Sequence, residues 1–209
     1  RSAAKNNQSV TVVIDPVDYA VVLDEMNANA GAVCRETNFR LALKVYQRTS
    51  AYDAAISNWL GKRVDVESAD FPSALTFQYQ RTEIMRYGEN PHQTGARYRL
   101  PGVESWWDAA VQLNGKEMSY LNVFDADAAW KSASDAYHSV THIKNKVAVS
   151  VIKHLNPCGL AVTGNILESL ELAWEGDPIS AFGSIICFTD TVTKEVAEWF
   201  GSKFVEIVI

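Results

Sequence analysis

The stretch 147–159, VAVSVIKHLNPCG, decides how the rest of the chain is read. Residues 147–152 are all small or β-branched, on both alternating sets of side chains, which predicts a strand buried on both faces of an α/β sheet. The run stops at two titratable residues, Lys153 and His154. Asn156, Pro157, Cys158 and Gly159 then supply turn chemistry, with Pro fixing φ and Gly free to take φ > 0. Loops at the carboxyl ends of strands are where open α/β sheets place ligand chemistry. A Lys beside a His disfavours imidazolium and leaves the ring available as a base near neutrality, which suits proton removal from an amine. On position alone a structural histidine and a snorkelling lysine account for the pair equally well.

Outward from this stretch, helix-like and strand-like segments alternate. Residues 122–139 read as a helix with Phe124, Ala128 and Trp130 facing inward, and 166–174 as another, ended by Gly176-Asp177-Pro178. Strand 185–188 follows the small-residue turn at Phe182-Gly183-Ser184, then helix 193–200 and strand 204–209. Such alternation predicts parallel strands with crossover helices. Upstream, Asn114-Gly115 between Val111/Leu113 and Met118/Tyr120 is a hairpin signal, and Trp106-Trp107 fit a core or interface. Leu75, Phe77 and Tyr79 alternate with polar residues and predict a half-buried strand. It leads into 85–93, MRYGENPHQ, where Gly88 and Pro91 hold an irregular backbone rich in hydrogen-bonding groups. There Arg86 offers a fork for phosphate or carboxylate and Tyr87 an amphipathic ring, although an ordinary turn with a surface ion pair explains them too.

The N-terminal part is predicted to hold a short buried strand at 9–14 and a helix from Asp15-Pro16 to about 27. A longer helix follows, with Thr37 able to cap it. Phe39, Leu43, Tyr46, Ala51, Ala54, Ile56 and Trp59 recur along it, and Gly61 ends it. Residues 62–72 are polar and aperiodic and mark a boundary.

With 209 residues and 47% hydrophobic content the chain can build a substantial core. A net charge of −6 without a Lys/Arg cluster argues against nucleic acid as partner. No apolar run approaches a membrane span and no signal peptide opens the chain, so no membrane partner and a cytosolic location are expected. Cys34, Cys158 and Cys187 are odd in number and widely spaced, as in a reduced protein. Arg at position 1 and a strand-like run at 204–209 suggest a piece of a longer protein. Dinucleotide, P-loop and zincin fingerprints are absent. Pro157-Cys158 is half of the zinc deaminase signature, but no Cys stands three residues on and no His is followed by Glu two positions later, so no metal is expected. Cys158 as a nucleophile lacks a marked base beyond His154, and an inert buried thiol is the simpler expectation.

Taken together, MRYGENPHQ at 85–93, LNGKEMSYLN at 113–122, IKHLNPCG at 152–159 and SAFGSIICF at 180–188 resemble, in order and spacing, the bifunctional AICAR transformylase/IMP cyclohydrolase family of purine biosynthesis. RSAAKNN at 1–7 resembles the end of that family's cyclohydrolase domain. The resemblance implies formyl transfer from 10-formyltetrahydrofolate, as co-substrate, to the 5-amino group of AICAR, giving FAICAR. A separate domain would then close the ring to IMP. It implies that His154 moves the proton of the attacking amine with Lys153 assisting, and that Arg86, Tyr87, Gly183 and Glu206 hold the nucleotide. Asn122 and Asn156 fall within its site motifs, and Lys5 matches a catalytic lysine of the cyclohydrolase site. Asn7 departs from the His common in the family's AAKNH pattern.

The implied fold is α/β, a cytidine-deaminase-like three-layer lobe preceded by a mostly helical connector. The implied division is 1–15 cyclohydrolase tail, 16–72 connector and 73–209 first transformylase lobe. A homodimer is also implied, with a second lobe and further substrate contacts outside residues 1–209, so slow turnover or none is expected of this piece. Two other readings stay open: a noncatalytic nucleotide-binding or dimerisation module, and a zinc deaminase, which would require bound metal.

Overall fold

The computed structural model describes residues 1–64 and 70–209, so part of the boundary expected at 62–72 lies outside the described residues. Two compact units are present, one of Arg1–Gln80 with Leu100–Gly102, the other of Arg81–Arg99 with Val103–Ile209.

The first unit is helical. Helix α1 (Ser2–Lys5) buries Ala4 against Ala42 and Val45, with Val12 packed alongside. Residues 10–14 form no strand: 10–13 are half-buried, Ile14 is exposed, and Thr11 donates to Asn38 Oδ1 instead of joining a ladder. The start at Asp15-Pro16 forms as read, a 3-10 turn (Pro16–Asp18) in which Asp15 accepts from Val17 N, running into α2 (Tyr19–Ala28). Asp18, almost wholly buried, is gripped by Lys44 at 2.6 Å and Arg40 at 3.3 Å.

Those two bases belong to α3 (Arg35–Val64), which starts before Thr37 and overruns Gly61. Thr37 does not cap it. Its hydroxyl donates to Glu25, which also accepts from Cys34 N, tying the end of α2 to the start of α3. The buried stripe of α3 is Thr37, Asn38, Leu41, Ala42, Val45 and Ala54. Of the residues expected inward, only Ala54 is buried, while Phe39, Leu43, Tyr46, Ile56 and Trp59 are exposed. The buried face follows Leu41 and Val45, with Ala42 meeting Ala4 of α1, and the large residues expected inward lie off it.

The strand expected over 75–80 is displaced. Asn58 engages both backbone groups of Thr76, leaving Leu75, Phe77 and Tyr79 exposed, and the first strand, β1 (Gln80–Met85), begins where the alternation ends. In the second unit it is joined by β2 (Gly95–Arg99). Short helix α4 (Trp106–Ala109) is capped reciprocally by Ser105 and Asp108, and Asp108 also takes Arg97 of β2 at 2.8 Å. The hairpin expected at Asn114-Gly115 does not form. Gly115 turns with φ +97°, Gln112 braces the bend through Asn114 O and Lys116 O, and no strand flanks it.

The rest is three layers around a mixed sheet of order β4-β3-β5-β6, made of β3 (Val147–Lys153), β4 (Asn156–Thr163), β5 (Ser184–Phe188) and β6 (Val205–Val208). Strand β3 is antiparallel to both neighbours, and β5 and β6 are parallel. The expected all-parallel sheet fails at two of its three pairings, both of them made by β3. Residues 156–159, read as a turn, open β4, and the reversal occurs earlier at His154-Leu155. Because β4 and β5 both oppose β3 they are parallel to each other, so α6 (Ile166–Glu175) and α7 (Lys194–Phe200) are still crossovers.

Helix α5 (Tyr120–Ser139) covers one face, where Ala126, Ala129 and Ala133 meet Ile152, Ile185 and Cys187. Leu170 and Ala173 of α6 and Val196 of α7 cover the other, against Val147, Val149, Val151, Ile186 and Phe188. Of the inward residues expected on α5, Ala128 is partly buried, whereas Phe124 and Trp130 are turned outward, Trp130 stacking on Trp106 at 5.0 Å. An alanine stripe brings the helix backbone close enough for Ser150 Oγ to donate to Ala129 O at 2.8 Å.

Candidate active site at the ends of β3, β5 and β6

Strand β3 ends at a half-buried Lys153, and its ladder with β4 closes at Lys153↔Asn156. His154 and Leu155 make the turn with φ of 52° and 64°, a backbone condition usually met by Asn-Gly. His154 is exposed, not sunk in hydrocarbon. Asn156 Nδ2 donates to His154 O at 2.8 Å, and Asp125 Oδ1 of α5 accepts from Leu155 N at 2.8 Å. Just below, the register slips between Val151 and Ile152, making Cys158 the extra residue of a bulge. Burial, reinforced by Asp177, pushes the Cys158 thiol up, so it is no thiolate at neutral pH.

Lys153 Nζ donates to Phe182 O at 2.7 Å. The next residue, Gly183, sits at φ +74°, a conformation open to glycine, and donates its N–H to Phe204 O at 2.8 Å. Asp177 stiffens this connection by accepting from Ser180 Oγ and Ser180 N, and those bonds hold its carboxyl below the usual range. Two residues beyond Phe204, Glu206 is the extra residue of a second irregularity, since Ser184 pairs with Val205 but Ile185 with Ile207. Bulges re-aim side chains. Here Glu206 Oε2 takes Asn122 Nδ2 at 2.7 Å.

Asn122 is fixed at its other end as well. Ser119 caps α5 by accepting from Asn122 N, while Asn122 Oδ1 accepts from Ser119 N and Oγ, a reciprocal box with Asn in the usual Glu position. One residue along, Tyr120 N donates to Tyr87 O at 3.1 Å and Arg86 N donates to Met118 O at 3.0 Å. The 85–93 loop is thereby fastened to the start of α5. It closes on itself through Gly88 N to Gln93 O at 2.8 Å, the irregular backbone expected there. The exposed Arg86 guanidinium lies over the Tyr87 ring at 4.9 Å, and the later part of the same loop, from Glu89 on, borders with Tyr120 an open depression of about 590 Å³.

A path of hydrogen bonds joined by one- or two-residue steps along the chain therefore runs Lys153, Gly183, Glu206, Asn122, Tyr87 and Arg86, with the His154–Asn156 turn joined to α5 through Asp125. Eight of the nine candidate residues share this rim. Lys5 does not: it ends α1 in the helical unit. Asp125 and Ser119 were missed by sequence reasoning. The Ser-x-x-Asn spacing at 119–122 could have revealed the cap, whereas nothing in sequence marks Asp125, whose partner is a backbone N–H thirty residues away. Among the described residues no three His, Cys, Asp or Glu side chains stand close enough to share a metal ion, and no helix is long and apolar enough to cross a membrane.

Helices on both faces of a mixed sheet, with Lys153, His154 and Glu206 at or beside the ends of its strands, define a three-layer α/β domain. A family model described as the AICARFT/IMPCHase bienzyme matches residues 3–209. The chain belongs to that family, and it is an AICAR formyltransferase/IMP cyclohydrolase domain of purine biosynthesis.

Proposed function

We propose that this chain supplies the nucleotide grip and the base for formyl transfer from 10-formyltetrahydrofolate to AICAR. The observation that carries the reading is the hydrogen-bonded rim joining Arg86 and Tyr87 to Asn122, Glu206, Gly183 and Lys153. Arg86 pairs with the phosphate, and Asn122, Glu206 and Gly183 orient the nucleoside beside the turn that bears His154. The 5-amino nitrogen attacks the formyl carbon, and His154 takes the amine proton as the new N–C bond forms. Collapse of the tetrahedral adduct breaks the bond to N10 of the folate, which accepts a proton and leaves as tetrahydrofolate, with FAICAR as the other product. The Lys153 ammonium, held on Phe182 O, lies next in sequence to the base.

The same reading carries a cytosolic homodimer, chemistry without a required metal, and a cytidine-deaminase-like lobe over 73–209 after a connector at 16–72 and a cyclohydrolase tail at 1–15. Lys5 belongs to the cyclohydrolase step by its AAKN context. In the full-length protein His154→Ala should lower formyl transfer roughly 10²–10⁴-fold and leave AICAR binding by calorimetry largely intact. An undiminished rate in that variant refutes the assignment. AICAR binding without turnover by the unmodified full-length protein would instead favour a noncatalytic module.

A further inference from the structure

We propose that Asp125 is a positioning residue that sets the turn carrying His154, an inference that rests on the role just given to that histidine. Two consecutive non-glycine residues with positive φ form a conformation that L side chains disfavour, Leu more than His. Such a turn persists only where its surroundings over-determine it. The ladder ends at Lys153↔Asn156, so Leu155 N lies beyond it. Asp125 Oδ1 takes that donor at 2.8 Å, and Asn156 Nδ2 braces His154 O from the other strand at 2.8 Å.

Asp125 stands one helical turn beyond Asn122, and Tyr120 lies just before. Within two turns α5 thus contacts the loop of Arg86-Tyr87 through Tyr120 N, the carboxylate of Glu206 through Asn122, and the histidine turn through Asp125. One rigid element therefore spaces the nucleotide grip from the base. Loss of the tether lets the turn relax toward ordinary φ and swings the imidazole off line, and displacement of about 1 Å costs on the order of 10²-fold in rate.

The test uses the full-length protein. Asp125→Ala should lower kcat about 10–100-fold with KM for AICAR and Tm little changed, and amide exchange at Leu155 should quicken at least tenfold. Asp125→Asn, which keeps an acceptor oxygen, should stay within about threefold of the parent. Adding Leu155→Gly to Asp125→Ala should recover much of the lost kcat, because glycine adopts positive φ without the tether. Asp125→Ala within twofold of the parent, while His154→Ala is inactive, overturns the positioning role and leaves the proposed function standing. Asp125→Asn as impaired as Asp125→Ala, or no rescue by Leu155→Gly, also overturns it. If His154→Ala is fully active the proposed function fails, and unaltered Leu155 exchange in Asp125→Asn and Asp125→Ala would then separately sink the tether.

Discussion

Replacing Gly159 by Ala tests the packing of the three-layer unit most directly. A Cβ at Gly159 would lie 1.7 Å from Ala173 O and 2.7 Å from its carbonyl carbon, both backbone atoms of α6. No rotamer relieves a clash between main chains, so the helix must retreat by more than an ångström. The same end of the helix offers no slack, since a Cβ at Gly176 would meet Cys158 O at 2.7 Å, showing strand and helix already in contact there. The retreat separates Leu170 and Ala173 from Val147, Val149 and Val151. A gap of 0.5–1 Å forfeits a quarter to a half of each dispersion contact, and a buried Leu makes 40–60 of them at about 0.1–0.2 kcal/mol. The loss comes to roughly 3 kcal/mol, at the upper end of usual overpacking costs. For a domain of this size that lowers Tm by about 10 °C. Calorimetry reads the shift, and tryptophan fluorescence reports the helix movement, because Trp174 of α6 meets Trp199 of α7 edge-on at 5.6 Å. A variant melting within about 2 °C of the parent, with unchanged fluorescence, refutes the claim that this glycine is required by close approach.

Asp18 should govern the acid limb of the helical unit. Its hydrogen bond from Lys44 holds its pKa below the ordinary 3.8, aided by Arg40 and opposed by burial, so the stabilisation is present above that value and lost as pH falls through the depressed one. Asp18→Asn should therefore melt lower at pH 7 and show a flatter pH dependence below about pH 4; an unchanged acid limb by circular dichroism counts against it. Cys187, pushed up to about 12 by burial, should resist alkylation at pH 8 in the folded protein and react once denatured. Rapid labelling of native protein, read by mass spectrometry, would contradict its place under α5.

Much of this architecture was legible where physics speaks locally. The small and β-branched run of β3 read as a doubly covered strand, and Asp15-Pro16 as a helix start. What escaped was set by partners distant in sequence. Strand β4 hid behind Asn156, Pro157 and Gly159, all turn formers, because the reversal was made by His154-Leu155, which advertises no turn. Gly159 was read as a licence for positive φ when it is a site of close backbone approach. The face of α5 was misphased because hydrophobic pattern favours large residues, while its close contacts are made by alanine, and that of α3 because the pattern was phased on its exposed aromatics instead of on Leu41 and Val45. The four short motifs pointed to the rim, but the aim of Glu206 depends on a register slip that only a paired strand displays.

The placement of β3 bears on how the molecule breathes. Its residues 147–152 are buried on both faces and 149–152 are paired along both edges, so the amides of 149–152 should be released only when the whole unit opens, while strand ends and outer turns come apart far more often. The histidine turn hangs from the last part of the unit to let go. Its footing thus outlasts the routine fraying of the surrounding surface, and heat should disable the site abruptly, with the unit, instead of eroding it by degrees.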